Sequence, residues 1–126
     1  MPNEPILIVD DNAVNLKLMR VLLTGEGYTV RTAIDAEDAL TVLERFTPRM
    51  ILMDLQMPGM DGLELTRRLK KAPALAGTVI VALTAYAMKG DEDKAIEAGC
   101  DGYITKPIDT RTLAPTIAAF LEREGD

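Results

Sequence analysis

Short apolar runs alternate along the chain with longer stretches in which apolar residues recur at helical spacing. Three runs, at residues 6–9, 50–53 and 79–83, are almost wholly apolar and too short for independent helices. Such runs are typical of strands buried on both faces of a parallel sheet. Two other segments, at 28–33 and 103–104, are more polar or very short, which favours strands at the sheet edges. The pattern predicts five strands that alternate with five helices.

Residues typical of helix ends lie between these strands. Asp61 and Asp109 are expected to cap the third and the last helix, because each is flanked by apolar residues spaced for a hydrophobic staple. Gly99 is expected to end the fourth helix. If the last helix starts near Thr110, then Pro115 removes an interior hydrogen bond and should kink it.

The alternation of strands and helices also predicts the fold. Repeated βα units make right-handed crossovers, which produce an open parallel sheet with helices on both faces, an α/β fold. With the three apolar runs in the centre, the simplest strand order is 2-1-3-4-5, a doubly wound, flavodoxin-like (βα)5 sheet. In such a sheet, ligands bind where the carboxyl ends of strands 1 and 3 diverge. The length of 126 residues fits one domain, and we expect it to span residues 1–126.

Composition and charge limit the classes of function. Fourteen Lys and Arg against twenty Asp and Glu give a net charge of −6, which opposes direct binding to nucleic acid or to an anionic membrane. No apolar run approaches the roughly 18 residues of a membrane span, no secretory signal is recognisable, and the single cysteine fits a reducing compartment. We therefore expect a cytoplasmic protein. The chain has no histidine, so an imidazole cannot serve as its base, zinc ligand or phosphocarrier.

Polar side chains follow four of the predicted strands. Asp10 and Asp11 follow strand 1, Asp54 follows strand 3, Thr84 follows strand 4 and Lys106 follows strand 5. Each of them alone has an ordinary explanation, as a helix cap or a solvated side chain. Together they are hard to explain in that way, because the carboxyl ends of parallel strands meet at one edge of the sheet. We expect three carboxylates, a hydroxyl and an amine around one crevice.

Such an acidic crevice needs compensating positive charge. Two like charges about 4 Å apart repel by roughly 4 kcal/mol at an effective dielectric constant near 20. Mg²⁺ binds one or two carboxylates together with water and phosphate oxygens, so it fits a partly open acidic pocket, with Mn²⁺ as an alternative. The ammonium of Lys106 and the hydroxyl of Thr84 suit a phosphoryl group, so the set predicts phosphoryl transfer. Asp54 is the best acceptor, because it emerges alone from a central strand.

Four segments of the sequence resemble the receiver domain of two-component response regulators, the CheY-like family. They occur in the family's order and extend over essentially the whole chain. They are ILIVDDNAVN with Asp10 and Asp11, ILMDLQMPGMDG with Asp54, VIVALTAYAM with Thr84, and CDGYITKPID with Tyr103 and Lys106.

The resemblance implies a role for each matching residue. Asp54 would accept a phosphoryl group from a phosphohistidine on a sensor histidine kinase or a histidine phosphotransfer protein. Asp11, Asp54 and the backbone carbonyl of Gln56 would ligate Mg²⁺ directly, and Asp10 would act mainly through a metal-bound water. Lys106 would contact a phosphoryl oxygen.

The resemblance also implies a switch that a downstream protein detects. Thr84 would move toward the phosphoryl oxygens, and Tyr103 would turn into the space that Thr84 leaves. The face formed by helix 4, strand 5 and helix 5 would then bind an unidentified downstream protein. The implied protein is a regulatory phosphoacceptor rather than an enzyme, and it is a monomer or a weak, phosphorylation-linked dimer.

Alternative functions stay open at this stage. A stand-alone regulator is favoured because no recognisable output domain follows the last helix, and the alternative is a receiver excised from a hybrid histidine kinase or larger regulator. A Mg²⁺-dependent phosphohydrolase with an aspartyl nucleophile is less favoured, since the dehalogenase-like pattern has an acid two residues after the nucleophile, where this chain has Gln56. Neither glycine-rich nucleotide-binding motif occurs in the sequence.

Overall fold

A computed structural model of the chain describes residues 4–55, 62–84, 89–106 and 108–125. The strands are β1 (Pro5–Val9), β2 (Thr29–Ala33), β3 (Met50–Asp54), β4 (Val79–Thr84) and β5 (Gly102–Thr105). The helices are α1 (Ala13–Gly25), α2 (Ala36–Leu43), α3 (Gly62–Lys70), α4 (Lys89–Ala98) and α5 (Leu113–Gly125), with a 3-10 turn at Pro73–Leu75 before β4.

The five strands form one parallel sheet in the order β2-β1-β3-β4-β5. Every residue of β3 and β4 is buried, whereas exposed residues alternate with partly buried ones along most of β2 and all of β5. Continuous burial is expected of central strands that are covered on both faces, and alternation is expected of edge strands. The predicted doubly wound fold and strand order are confirmed.

Helices cover both faces of this sheet. Leu7 and Ile51 face one apolar cluster, which also contains side chains of α2, α3 and α4. Ile8 and Leu52 face the other cluster, together with side chains of α1 and α5. Because adjacent residues of a strand point to opposite faces, the same short runs contribute to both clusters. The central strands are therefore packed on both sides, which fixes the positions of their carboxyl ends.

The ends of the helices largely follow the sequence signals. The side-chain oxygen of Asn12 caps α1 by accepting hydrogen bonds from the backbone N–H groups of Val14 and Asn15. Gly99 follows α4 with a φ of 108°, as predicted for a residue that ends a helix. The predicted cap of α3, Asp61, lies outside the described residues. In the part of the chain that the structure covers, no helix combines the length and apolar character needed to cross a membrane.

The condition under which Pro115 was expected to kink the last helix is not met. The helix α5 begins at Leu113 rather than near Thr110, which places Pro115 in the first turn, where a backbone N–H has no partner within the helix. Asp109 is therefore not the residue directly before α5, as its predicted role as a cap would require, and it instead organises the turn that precedes the helix. Its carboxylate accepts a hydrogen bond from the Arg111 N–H at 2.9 Å, and its carbonyl oxygen accepts one from the Leu113 N–H at 3.0 Å.

Candidate functional site

The carboxyl ends of the strands bring several of the predicted residues to one edge of the sheet. Asp54 is the last residue of β3 and Thr84 the last residue of β4, while Asp10 directly follows β1. Backbone hydrogen bonds continue past the strands, from the Asp10 N–H to the Ala33 carbonyl oxygen at 3.1 Å and from the Lys106 N–H to the Thr84 carbonyl oxygen at 2.7 Å. The backbone therefore holds these polar residues in fixed positions at the end of a packed sheet.

Three carboxylates converge at this edge. One carboxylate oxygen from each of Asp10, Asp11 and Asp54 lies within 4.8 Å of the other two. Asp10 and Asp54 are buried, at 0% and 1% exposure, whereas Asp11 is exposed. The cluster thus has a buried side, formed by two carboxylates, and a side that is open to solvent. A hard cation that retains part of its water shell binds in this kind of environment.

Lys106 supplies the positive charge next to the two buried carboxylates. Its ammonium nitrogen lies 3.0 Å from Asp54 Oδ2 and 3.4 Å from Asp10 Oδ2, and the lysine side chain is 16% exposed. Among the described residues, one ammonium faces three carboxylates, and these four groups carry a net charge of −2 when all of them are ionised. The arrangement is therefore electrostatically incomplete, and a divalent cation would balance it.

The carboxylate of Asp10 shows this imbalance most directly. Its Oδ1 accepts a hydrogen bond from the Asn12 N–H at 2.8 Å. Its Oδ2 is buried and has no hydrogen bond from any described residue, although the Lys106 ammonium lies nearby. Burial raises the pKa of Asp10, and the negative charge of Asp54 raises it further, whereas the Asn12 N–H and Lys106 lower it. A buried acceptor oxygen without a donor, beside two other carboxylates, fits a metal ligand set.

The other predicted site residues are Thr84 on β4, Tyr103 on β5 and Gln56. Thr84 is buried, with 2% exposure, at the end of β4. Tyr103 lies on the edge strand β5 and is 37% exposed. It is paired with Ala82 of β4, and Ala82 lies two residues before Thr84. Gln56, the predicted source of a backbone carbonyl ligand, lies outside the described residues.

Sequence reasoning missed one residue that packs directly against the site. Gly62, the first residue of α3, is so close to the carbonyl oxygen of Asp54 that a Cβ atom built on it would lie 2.9 Å away. The signal in the sequence is a glycine at the first position of a predicted helix, where a better helix former would ordinarily be expected. Only the fold shows which atoms this glycine contacts.

Comparison with known proteins places the chain among signalling proteins. Residues 6–118 match the family described as response regulator receiver domain. A protein of Brucella ovis, the polar-differentiation response regulator DivK, is 43% identical over 117 residues, which cover 92% of this chain and 94% of that protein.

Solved structures support the same assignment. A CheY-like response regulator receiver domain protein from Methanospirillum hungatei has a TM-score of 0.88 and 32% identity, over 98% of this chain and 97% of that one. The signal receiver domain of a signal transduction histidine kinase from Syntrophus aciditrophicus has a TM-score of 0.84 and 31% identity, over 95% and 91%. Sequence and structure thus agree over nearly the whole chain, which belongs to the response regulator receiver domain family of two-component signalling.

Proposed function

We propose that this receiver is a Mg²⁺-dependent phosphoacceptor in a phosphorelay, and that Asp54 takes the phosphoryl group. The donor would be a phosphohistidine on a sensor histidine kinase or a histidine phosphotransfer protein. One observation carries the proposal: the buried carboxylate of Asp54 ends a central strand with the Lys106 ammonium 3.0 Å away and two further carboxylates beside it. Positioning and neutralisation of charge supply most of the catalysis in phosphoryl transfer.

Each residue of the site would have a distinct role in the transfer of the phosphoryl group. A carboxylate oxygen of Asp54 would form the new P–O bond while the P–N bond of the donor breaks and its electron pair returns to the imidazole nitrogen. Asp10, Asp11 and Asp54 would hold the cation, with the Gln56 carbonyl that the family resemblance adds. When bound, Mg²⁺ or Mn²⁺ would reduce the repulsion between the incoming phosphoryl oxygens and the carboxylates.

The Lys106 ammonium would move from the Asp54 carboxylate to the phosphoryl group when Asp54 is phosphorylated. Its ammonium already lies within 3.4 Å of both buried carboxylates, so a small movement would bring it to an oxygen of the phosphoryl group on Asp54. The hydroxyl of Thr84 would approach a second oxygen, and Tyr103 would respond on the adjacent edge strand. This change would alter the face formed by α4, β5 and α5 for a downstream protein.

The broader context is part of the same proposal. The chain would act as one domain of residues 1–126 in the cytoplasm, as a regulatory protein rather than an enzyme, and as a monomer or a weak dimer linked to phosphorylation. Direct binding to nucleic acid or to a membrane is disfavoured by the net charge of −6.

A receiver within a longer protein is the second candidate. The similarity to the receiver of a histidine kinase from Syntrophus aciditrophicus supports it. The chemistry at Asp54 would be the same in both contexts, so the length of the native gene would distinguish a stand-alone regulator from a part of a hybrid kinase.

The decisive experiment is intact mass spectrometry after incubation with acetyl phosphate, with and without Mg²⁺. We expect one phosphoryl adduct on the wild type that requires Mg²⁺ and is absent from Asp54→Asn. A matched control is Asp93→Asn, which removes an exposed carboxylate on α4 and should leave the adduct unchanged. An adduct that persists in Asp54→Asn, or a wild type that forms none with any phosphodonor, would disprove the proposal. Continuous multiple turnover of the phosphodonor would favour a phosphohydrolase instead.

A further inference from the structure

The first turn of α3 lies directly against the end of β3. Gly62 is buried, and a Cβ atom on it would lie 2.9 Å from the Asp54 carbonyl oxygen and 3.1 Å from the Leu55 Cα. Both of these are backbone atoms, which cannot turn aside as the end of a flexible side chain can. A glycine is therefore required here because another backbone approaches too closely for a side chain.

We propose that Gly62 is a positioning residue for Asp54. By lacking a side chain, it lets α3 pack on the backbone of Asp54 and Leu55 and so sets where the Asp54 carboxylate lies relative to Lys106 and the other two carboxylates. This inference rests on the proposed function, since it assumes that the cluster binds a cation and that Asp54 accepts the phosphoryl group.

Neither side of this contact is free to move away. On the helix side, the buried Thr66 hydroxyl donates a 2.8 Å hydrogen bond to the Gly62 carbonyl oxygen, and Leu65 and Leu69 anchor α3 in the core. On the strand side, the Leu55 N–H donates a hydrogen bond to the Leu83 carbonyl oxygen at 3.1 Å. A methyl group at Gly62 would therefore have to displace the end of β3 or strain the first turn of α3.

The size of the displacement indicates a functional effect. Moving the Cβ contact from 2.9 Å to an ordinary van der Waals distance of 3.4 Å requires a shift of about 0.5 Å, which is the tolerance within which a catalytic or metal-binding group must be held. The Asp54 carboxylate is carried by the backbone that would move, and it lies only 3.0 Å from the Lys106 ammonium. Binding of Mg²⁺ should thus be more sensitive than folding to this methyl group.

The test compares Gly62→Ala with two control variants. Gly77→Ala adds the same methyl group at an exposed position, where no heavy atom of the described residues other than Gly77 and its two neighbours in the chain lies within 4 Å of the new Cβ. Leu69→Ala removes a buried side chain on the same helix, so it lowers stability without adding anything beside Asp54. The measurements are the Mg²⁺ dissociation constant by calorimetry and the rate of phosphorylation by acetyl phosphate, both under conditions in which each variant is folded.

We expect Gly62→Ala to bind Mg²⁺ about 10-fold more weakly and to be phosphorylated correspondingly more slowly, as when a residue that orients a metal ligand is changed. Gly77→Ala and folded Leu69→Ala should both bind Mg²⁺ like the wild type. Equal Mg²⁺ affinity in Gly62→Ala and Gly77→Ala would overturn the inference, and so would a loss in Leu69→Ala as large as that in Gly62→Ala. A wild type that neither binds Mg²⁺ nor is phosphorylated would overturn the proposed function as well.

A second variant keeps the test decisive if Gly62→Ala does not fold. Thr66→Val nearly preserves the volume of the side chain but removes the hydroxyl that donates a hydrogen bond to the Gly62 carbonyl oxygen and also interacts with the Cys100 thiol. We expect a loss of about threefold in Mg²⁺ affinity, consistent with one weakened hydrogen bond. Unchanged affinity in a folded Thr66→Val variant would contradict a positioning role for this helix start.

Discussion

Replacing Lys106 with methionine removes the ammonium beside two buried carboxylates while keeping a side chain of similar length. The ammonium lies 3.0 Å from Asp54 Oδ2 and 3.4 Å from Asp10 Oδ2. At an effective dielectric constant near 20, each attraction is worth roughly 5 kcal/mol before the desolvation of the charges is subtracted. Breaking a buried ion pair by removing one partner costs about 3–5 kcal/mol.

The expected loss lies near the lower end of that range. Burial raises the pKa of Asp10, and the neighbouring Asp54 raises it further, so Asp10 can take up a proton when the ammonium is removed, which limits the repulsion. We therefore expect Lys106→Met to lower the free energy of unfolding by about 3 kcal/mol at neutral pH without a divalent cation. Urea unfolding followed by circular dichroism, in the presence of EDTA, measures this quantity.

Mg²⁺ should reverse much of this loss. The variant keeps the three carboxylates but lacks the Lys106 ammonium, so the repulsion between that ammonium and a divalent cation is absent and the cation should bind more tightly. Tenfold tighter binding corresponds to about 1.4 kcal/mol of additional stabilisation at saturating Mg²⁺. The increase in unfolding free energy on adding Mg²⁺ should thus be larger for Lys106→Met than for the wild type.

Lys17→Met is the matched control, because it removes an exposed lysine from α1 and should change stability by less than about 0.5 kcal/mol. The reasoning would be refuted if Lys106→Met were as stable as the wild type in EDTA. It would also be refuted if Mg²⁺ stabilised both proteins equally, because the ammonium would then not be balancing the carboxylates that bind the cation.

Three further predictions concern individual side chains. The folded state binds the Asp10 proton more tightly than the unfolded state does, because burial raises the pKa of this carboxyl group. The metal-free wild type should therefore lose stability relative to Asp10→Asn as the pH rises from about 4 through the raised pKa. Urea unfolding measures the difference in stability, and a difference that does not depend on pH would contradict the prediction. Asp101→Asn weakens both the 2.7 Å ion pair with Lys70 and the 2.8 Å hydrogen bond from the Ile80 N–H. We expect the free energy of unfolding to fall by about 1–3 kcal/mol. Replacing an exposed aspartate with asparagine should not lower it by this amount. The Cys100 thiol is buried and its pKa is raised, chiefly by burial, to about 11, so iodoacetamide should modify it far more slowly in native protein than in urea, and equal rates would exclude a buried thiol.

The strands could be predicted from the sequence because central strands of a parallel sheet are buried on both faces. That burial requires continuous apolar runs, and the runs at 50–53 and 79–83 each differ from the observed strand by one residue. The missing residues are Asp54 and Thr84, whose polar side chains end the apolar pattern while their backbones still pair in the sheet. The positions of the polar residues at the sheet edge follow from the same pattern.

Contacts between separate elements could not be predicted in this way, because they depend on how closely those elements approach each other. Lys70 and Asp101 are 31 residues apart and meet because the end of α3 lies beside the residues that connect α4 to β5. The contact between Gly62 and the Asp54 carbonyl likewise depends on how closely α3 approaches β3. The helix α5 begins after a turn that Asp109 stabilises. The residues around Asp109 predict a helix start in the sequence, but they do not specify how many residues that turn contains.

The burial that holds Asp54 in position also strengthens the electrostatic interactions of the acidic cluster, which would favour the binding of a cation. Asp10 and Asp54 are both buried, so the electrostatic interactions of these carboxylates are stronger than they would be in solvent. Lys106 compensates for only part of the charge, and Asp10 Oδ2 receives no hydrogen bond from the described residues. A second lysine beside the cluster would stabilise the metal-free protein, but it would also weaken the attraction of the carboxylates for a cation. Incomplete compensation would therefore lower the stability of the metal-free protein and raise its affinity for a cation, and both effects would follow from one arrangement of charges.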